Sequence, residues 1–322
     1  MTSGARSFRE FLRWRIERRR GRLPGRPAPE ELPLAEPDVA LPAAPRSEIR
    51  LTWIGHSSFL IQAGGLNILT DPVFSQRVSP VSWAGPQRLV DPGLQLHDLP
   101  PIDVVIVSHD HYDHLDEPTV RGVHERSGDR VRWITPTGYA PWFAHRNIAN
   151  VTELAWWDAT DIVADDCGVR ITALPASHWS RRGLFDGTGR KWASWSIDSG
   201  ASGRIYFAGD SGYFDGFKEI GSRMGPFVAA LLPIGAYEPR WFMKEAHMDP
   251  NEAVLAWSDL GGVGRLVAMH WGTFILTDEP VLEPPARLRE AWSASQRDRN
   301  DLSILRHGET MILESRDDPE RI

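Results

Sequence analysis

Among 322 residues there is a single cysteine, Cys167. That count excludes an internal disulfide and a thiolate-ligated metal, and it fits a reducing compartment. Cys167 stands in "DDCGVR", at a turn leading into a strand, a setting for packing rather than for nucleophilic chemistry. No apolar stretch approaches the roughly 18 residues of a membrane span, and no apolar core follows the N-terminal arginines as a signal peptide or twin-arginine leader requires. The expectation is a soluble or peripheral protein, cytoplasmic or resting on the inner face of a membrane. Surplus positive charge is also lacking. A net charge of −7 argues against a general nucleic-acid partner, because phosphate binding needs a basic footprint. No short repeat period is present, which excludes a solenoid.

The charge that is present is unevenly placed. Residues 1–26 carry nine arginines against Glu10 and Glu17, a balance of +7 against −7 for the whole chain, so the body that follows carries −14. Phe8, Leu12 and Ile16 recur at four-residue steps, with Phe11 and Trp14 nearby, predicting a short amphipathic helix. It could rest on an anionic bilayer or dock on the body of the protein. A proline-rich stretch, residues 22–48, reads as a linker or surface strap. Two parts are therefore expected: a basic arm and linker over 1–48, and one folded domain over 49–322.

From Ile49 onward, short runs rich in Val, Ile, Phe, Tyr and Trp recur between turn-forming residues, as in "LTWIG", "SFLIQ", "NILT", "DVVIVS" and "RIYFAG". These predict strands. Helical patterns fall at about 117–127, 217–224, 250–260 and 284–296. The third has a defined start, with Asp249 as N-cap, Pro250 at the first helical position and Glu252 three residues after the cap. Strands interspersed with helices imply an α/β or α+β layered protein, with two sheets and helices outside.

Residues 109–116, "HDHYDHLD", hold three histidines and three aspartates directly behind the apolar run "DVVIV". A strand would deliver His109 to its carboxyl end, where loops are free to build sites. His109 and His111 can converge on one ion, while Asp113 and His114 can face a second beside it. Four ligands in six residues strain a single tetrahedral site, so two metals, or one with a vacant partner site, fit better. Further donors stand at other strand ends: His178 in "LPASHW", Asp210 in "FAGDSGY" and His270 in "VAMHWG". Asp210, with two carboxylate oxygens, is the natural bridging group. Nitrogen and oxygen donors with open positions suit catalysis, since structural zinc sites are closed and favour thiolates.

This H-x-H-x-D-H pattern, followed in order by a lone His, an Asp and a His, resembles the metallo-β-lactamase superfamily. The resemblance implies a four-layered αββα sandwich with the metals in a cleft at one rim. It assigns His109, His111 and His178 to one ion and Asp113, His114 and His270 to the other, with Asp210 between them. Zn2+ is the expected metal, with Fe or Mn tolerated by the same donors. By the same resemblance Asp71, in "NILTDP", would accept a hydrogen bond from a ligand imidazole; its local alternative is a turn residue before Pro72. His56, in "TWIGHSS", is expected near the site but off the metals.

A narrower likeness runs in order from about residue 50 to 310. "NILTDPVFSQRVSP", "GPQRLVDPG", "LPASHWSRR", "LLPIGAYEPRWFMKEAHMDPNEAV", "MHWGTF" and "LEPPARL" are similar to the N-acyl-phosphatidylethanolamine-hydrolysing phospholipase D family. The resemblance implies dinuclear, metal-dependent hydrolysis of the lipid phosphodiester by a bridging hydroxide, releasing phosphatidic acid and an N-acylethanolamine; a homodimer is implied as well. Asp113, Asp210 and His247 are the residues expected to take part in the chemistry. His247, in "KEAHMD", could contact phosphate or protonate the leaving oxygen, or be a polar residue at a helix entry. Arg240 and Lys244 could meet the lipid head or only decorate a loop. Trp142, Trp241 and Phe242 fall in predicted loops and could line an acyl groove or a membrane interface, or pack in the core. The chain departs from the family in a short N-terminal region, in Asp110 and in Ala246, which bears on lipid selectivity. The alternative activity is hydrolysis of a small soluble phosphodiester or lactone; a non-catalytic binding protein is disfavoured by the complete donor set.

Overall fold

A computed structural model describes residues 8–21, 25–41, 46, 48–164, 167–182 and 189–314. Residues 1–7, 22–24, 42–45 and 47 of the predicted arm and linker, and 315–322 of the predicted domain, lie outside the described residues.

The first half of the chain runs through α1 (Phe8–Arg20), β1 (Glu48–Gly55), β2 (Ser58–Ala63), β3 (Leu66–Thr70), β4 (Val104–Ile106), α2 (Glu117–Ser127), β5 (Arg132–Pro136), α3 (Ala140–Ala144) and β6 (Val151–Leu154). The second half follows with β7 (Ala159–Ala164), β8 (Cys167–Leu174), β9 (Ser194–Asp198), β10 (Arg204–Phe207), α4 (Gly216–Met224), β11 (Ala229–Pro233), α5 (Arg240–Met243), α6 (Pro250–Asp259), β12 (Arg265–Met269), α7 (Glu283–Ala294), β13 (Leu302–Ser303) and β14 (Thr310–Glu314). They form two seven-stranded sheets, ordered β14-β1-β2-β3-β4-β5-β6 and β13-β12-β11-β10-β9-β8-β7. The last strand thus returns to pair antiparallel with β1.

Period-two alternation fixes the layers, because successive strand side chains point to opposite faces. Phe59, Ile61, Ile68, Val104, Ile106 and Ile134 pack against Ile171, Trp195, Ile197, Ile205 and Phe207 of the other sheet. Their neighbours Leu60, Leu69, Val105, Val107 and Trp133 point the other way, onto Val120 and Val123 of α2 and onto Phe143 of α3. On the far side of the second sheet, Phe217 and Ile220 of α4 join Trp257 of α6 and Trp292 of α7, whose indoles meet at 4.8 Å. The result is helix, sheet, sheet, helix.

The four helices expected from the sequence are present within one or two residues, and the start of α6 has its capping box: Asp249 accepts from the Asn251 and Glu252 amides, and Glu252 reaches back to the Asp249 amide. Strands β6, β7 and β14 and the short helices α3 and α5 were not expected. In "LSILRH", residues 302–307, whose apolar run also reads as a strand, only Leu302–Ser303 is one. Beyond it the chain turns, and His307 stacks on Trp53 at 4.2 Å.

His307 is almost wholly enclosed, and burial, then the charge of Arg88, pushes its pKa down to about 3 from 6.5. The unfolded chain takes that proton near 6.5, so the stability tied to neutral His307 is full above about pH 6.5 and is lost as pH falls toward 3. Between pH 7 and pH 5 the loss is about 2 kcal/mol. Urea unfolding at the two pH values should show that much extra acid sensitivity in the native sequence relative to His307→Gln; equal losses in both proteins would contradict the assignment.

Candidate metal centre

Parallel order in both sheets aims a set of strand ends at one rim. Strands β3, β4, β5 and β6 run parallel, as do β10, β11, β12 and β13. Asp71 follows β3, the 109–114 loop follows β4, Asp210 follows β10 and His270 follows β12. His178 lies four residues beyond β8, and His56 sits in the turn between β1 and β2. Gly209 permits the close approach of the sheets here: it has φ +57°, and a Cβ on it would lie 2.4 Å from the Ser108 Cβ.

The seven residues expected to ligate metal converge. His109 Nε2 and His178 Nε2 lie 2.9 Å and 3.3 Å from His111 Nδ1. His114 Nε2 lies 3.5 Å from Asp113 Oδ2, and His270 Nε2 lies 3.7 Å from the same oxygen. Asp210 touches both groups. Its Oδ2 is 3.8 Å from His109, 3.9 Å from His178 and 3.1 Å from His114, and its Oδ1 is 3.1 Å from His270. Two sets of donors, His109–His111–His178 and His56–Asp113–His114–His270, are each close enough to hold a cation. His111 and Asp113 are the partly exposed members and mark the open side; the others are buried.

Outer hydrogen bonds orient the rings inward. His114 Nδ1 donates to Asp71 Oδ2 at 2.7 Å, and His178 Nδ1 donates to the Ala246 carbonyl at 3.0 Å. The Ser108 hydroxyl donates to Asp71 at 2.5 Å and faces His109 Nδ1 at 2.9 Å. Each bond places the proton on Nδ1 and leaves the Nε2 lone pair for the centre. His56 Nε2 donates to Asp113 Oδ2 at 3.0 Å. His56, Asp71 and His270 all have left-handed backbones, at φ 56°, 34° and 60°, each costing about 1–3 kcal/mol. The His270 amide bonded to the His56 carbonyl at 3.0 Å and the Asp71 amide bonded to the Ile106 carbonyl at 2.9 Å help hold two of them.

The cluster fits a cation. Buried His114 Nε2, Asp210 Oδ1, His247 Nδ1 and both nitrogens of His270 have no hydrogen-bond partner, which is costly unless something else satisfies them. Burial alone would push His270 down, yet Asp210 and Asp113 outweigh it and hold it up at about 9. His114 is likewise raised, against its burial, by Asp210, Asp113 and Asp71. Two enclosed carboxylates thus demand positive charge, which protons supply in the protein alone and a divalent cation supplies better.

The remaining predicted residues divide. His247 is buried at the wall, its Nδ1 3.9 Å from Asp210 Oδ2, and burial pushes it down to about 4. Arg240 is turned away from any ligand role: it donates to the His247 carbonyl at 2.8 Å and to Glu252 at 2.6 Å. Lys244 is exposed. Trp241 is half-exposed beneath the Arg13 guanidinium, 4.4 Å from its ring. Phe242 and Trp142, expected in loops with core packing as the alternative, lie on α5 and α3 and are buried. Trp14 covers Phe242 at 5.3 Å, and Arg146 covers Trp142 at 3.6 Å. Phe242 thus owes its cover to a partner distant in sequence, and Trp142 to one a helical turn on. Cys167 begins β8; its side chain lies outside the described residues.

Sequence reasoning missed the bracing of the 109–114 loop. Arg182 donates to the carbonyls of Asp110 and Leu115 at 2.9 Å and 2.6 Å, and Arg190 pairs with buried Asp110 at 2.5 Å. The one available signal was the arginine pair that closes "LPASHWSRR". Ser108 was missed too, although it adjoins His109.

Fold and site define the class: a metal-dependent hydrolase. Residues 66–271 match the Beta-lactamase superfamily domain. The chain is 41% identical over 261 residues to the N-acyl-phosphatidylethanolamine-hydrolyzing phospholipase D 1 of Caenorhabditis elegans, covering 79% of this chain and 72% of that protein. It is 36% identical over 240 residues to the mitochondrial N-acyl-phosphatidylethanolamine-hydrolyzing phospholipase D of Saccharomyces cerevisiae, covering 74% of this chain and 50% of the yeast protein. The chain belongs to the N-acyl-phosphatidylethanolamine-hydrolysing phospholipase D family within the metallo-β-lactamase superfamily. Its fold is shared with Igni18, a metallo hydrolase of Ignicoccus hospitalis, at a TM-score of 0.61 and 24% identity, covering 83% of this chain and 99% of that one.

Proposed function

We propose that this protein hydrolyses the phosphodiester of N-acylated phosphatidylethanolamine, releasing phosphatidic acid and an N-acylethanolamine. The observation that carries the chemistry is the reach of Asp210 to both histidine groups; the similarity to the Caenorhabditis elegans enzyme supplies the substrate. His109, His111 and His178 would hold one divalent cation and Asp113, His114 and His270 a second, with Asp210 shared. Bound there, the pair supplies a water acidic enough to attack near neutral pH and offsets the charge gathering on the phosphoryl oxygens.

The chain's own residues do the rest. Asp71, Ser108 and the Ala246 carbonyl keep a proton on Nδ1 of three imidazoles and aim Nε2 at the centre. The further protons that the carboxylates hold on His114 and His270 would be displaced when a cation enters. Arg182 and Arg190 hold the 109–114 loop against the wall that follows His178. His247, depressed to about 4 by burial and disfavoured further as an imidazolium by nearby cations, remains neutral at pH 7. It therefore donates a hydrogen bond to a phosphoryl oxygen rather than serving as a reservoir of protons.

Metal-loaded protein given N-acylated phosphatidylethanolamine in mixed micelles should release phosphatidic acid and N-acylethanolamine in equal amounts, read by mass spectrometry. Intact lipid beside rapid cleavage of a small soluble phosphodiester or lactone would overturn the substrate assignment.

A further inference from the structure

Among the exposed large apolar side chains of the described residues, those of two elements are tied to one segment beside the candidate metal centre. One is the loop 79–85, "SPVSWAG", where Trp83 is 80% exposed and Val81 36%. It is a shaped loop: the Val78 amide bonds to the Pro86 carbonyl at 3.2 Å, and Arg77 donates to the Gly85 carbonyl at 2.6 Å. Gly85 has φ +99°, and a Cβ on it would meet Ser79 at 2.6 Å, so the tip is built to close tightly. The other element is α1. Leu12 is 48% exposed and Ile16 42%, on the side of the helix away from Trp14, since two residues correspond to about 200° of helix rotation. The four-residue spacing therefore marks the outward side, while Trp14 docks on Phe242 and Met243.

Both elements are fastened to one segment. Val78, at the base of the loop, packs on Phe274 with Leu276 alongside. From α1, Trp14 Nε1 donates to Asp278 at 3.1 Å, and Arg18 donates to the carbonyls of Leu276 and Thr277 and pairs with Asp278. Phe274, Leu276 and Thr277 also line a cleft with His56 and His270. The exposed apolar groups thus flank the rim of the candidate metal centre.

Charge selects the occupant. The exposed part of α1 adds Arg9, Arg15 and Arg20 to Leu12 and Ile16, besides Arg13 paired with exposed Glu17 at 2.7 Å, on a chain whose body is acidic. We propose that α1 and the Trp83 loop together form the surface by which the protein docks on an anionic lipid bilayer. An indole projecting from a tight loop, with a separate aliphatic and cationic helix, presents knobs rather than a groove. That shape suits insertion among headgroups and acyl chains more than the concave face of a protein partner. Arginine attraction and apolar insertion act together, as interfacial binding requires. The proposal does not depend on the substrate assigned above.

The test is sedimentation of the full chain with vesicles of phosphatidylcholine alone or mixed with phosphatidylglycerol. The native sequence should partition onto the mixed vesicles about tenfold or more above phosphatidylcholine alone, less so at high salt. Leu12→Ser/Ile16→Ser and Trp83→Ser/Val81→Ser should each lower that partition about tenfold, with unchanged thermal unfolding midpoints showing that both variants fold. Native protein that ignores both vesicles, or variants that bind as the native sequence does, would overturn the proposal. Failure here with lipid hydrolysis in detergent micelles intact would leave the functional reading standing. Capture of a purified acidic protein instead of vesicles would assign the surface to a protein partner and overturn the bilayer.

Discussion

Asp210→Asn is expected to cut turnover by roughly a thousandfold or more and to leave the protein unable to hold two divalent cations together. The amide matches the carboxylate in size, so the core around β10 keeps its packing. What changes is charge and donor strength at the side chain whose oxygens face both donor groups: Oδ2 is 3.8 Å and 3.9 Å from His109 and His178 of one group and 3.1 Å from His114 of the other, and Oδ1 is 3.1 Å from His270. In the native sequence His114 and His270 are held up chiefly by this carboxylate against their burial, so its removal strips the centre of much of the field that draws in positive charge. Metal counted by elemental analysis in the same sample as the turnover measurement checks both parts. Near-normal turnover with two bound metals would contradict the assigned bridge.

His247→Gln is expected to behave differently, keeping both cations while turnover falls about a hundredfold to a thousandfold. His247 Nδ1 is buried without a partner and stands 3.9 Å from Asp210, beyond direct hydrogen bonding but within reach of a group placed between them. Its ring is carried on the short turn before α6, where Arg240 grips the His247 carbonyl and Glu252 of the capping box. The backbone position is thus set independently of the side chain, which makes the substitution a clean removal of one imidazole. Loss of a metal along with activity would instead move His247 into the donor set with His178 and Asp210, a trio close enough to hold a cation.

The parts of this molecule that were legible in its sequence share one property: their signal is local. "HDHYDH" behind an apolar run announces donors at a strand end, and Asp249-Pro250 with Glu252 announces a helix start, because both spacings act within one loop or turn. Asp71 and His56 were placed near the site by resemblance, and they make their contacts to His114 and Asp113. What stayed hidden depends on groups far apart in the chain. Trp142 and Phe242 were left open between exposed loop and core, and their cover includes Arg182, 5.5 Å from the Trp142 ring, and Trp14 on Phe242. The α1 stripe named by Phe8, Leu12 and Ile16 left a bilayer face and a face docked on the body both open, and it is Trp14, on the opposite side from Leu12 and Ile16, that docks. Asp110 read as a departure from the family, and its partner Arg190 lies 80 residues away. Periodicity cannot report which side of a short element the rest of the fold will cover.

Whether two divalent cations share Asp210 is tested most directly by anomalous diffraction from crystals of the metal-loaded protein. Two peaks per chain are predicted, one among His109, His111 and His178 and the other among Asp113, His114 and His270, each within bonding distance of an Asp210 oxygen. A lone peak at full metal loading, or a pair of which one lies out of reach of Asp210, would contradict that sharing.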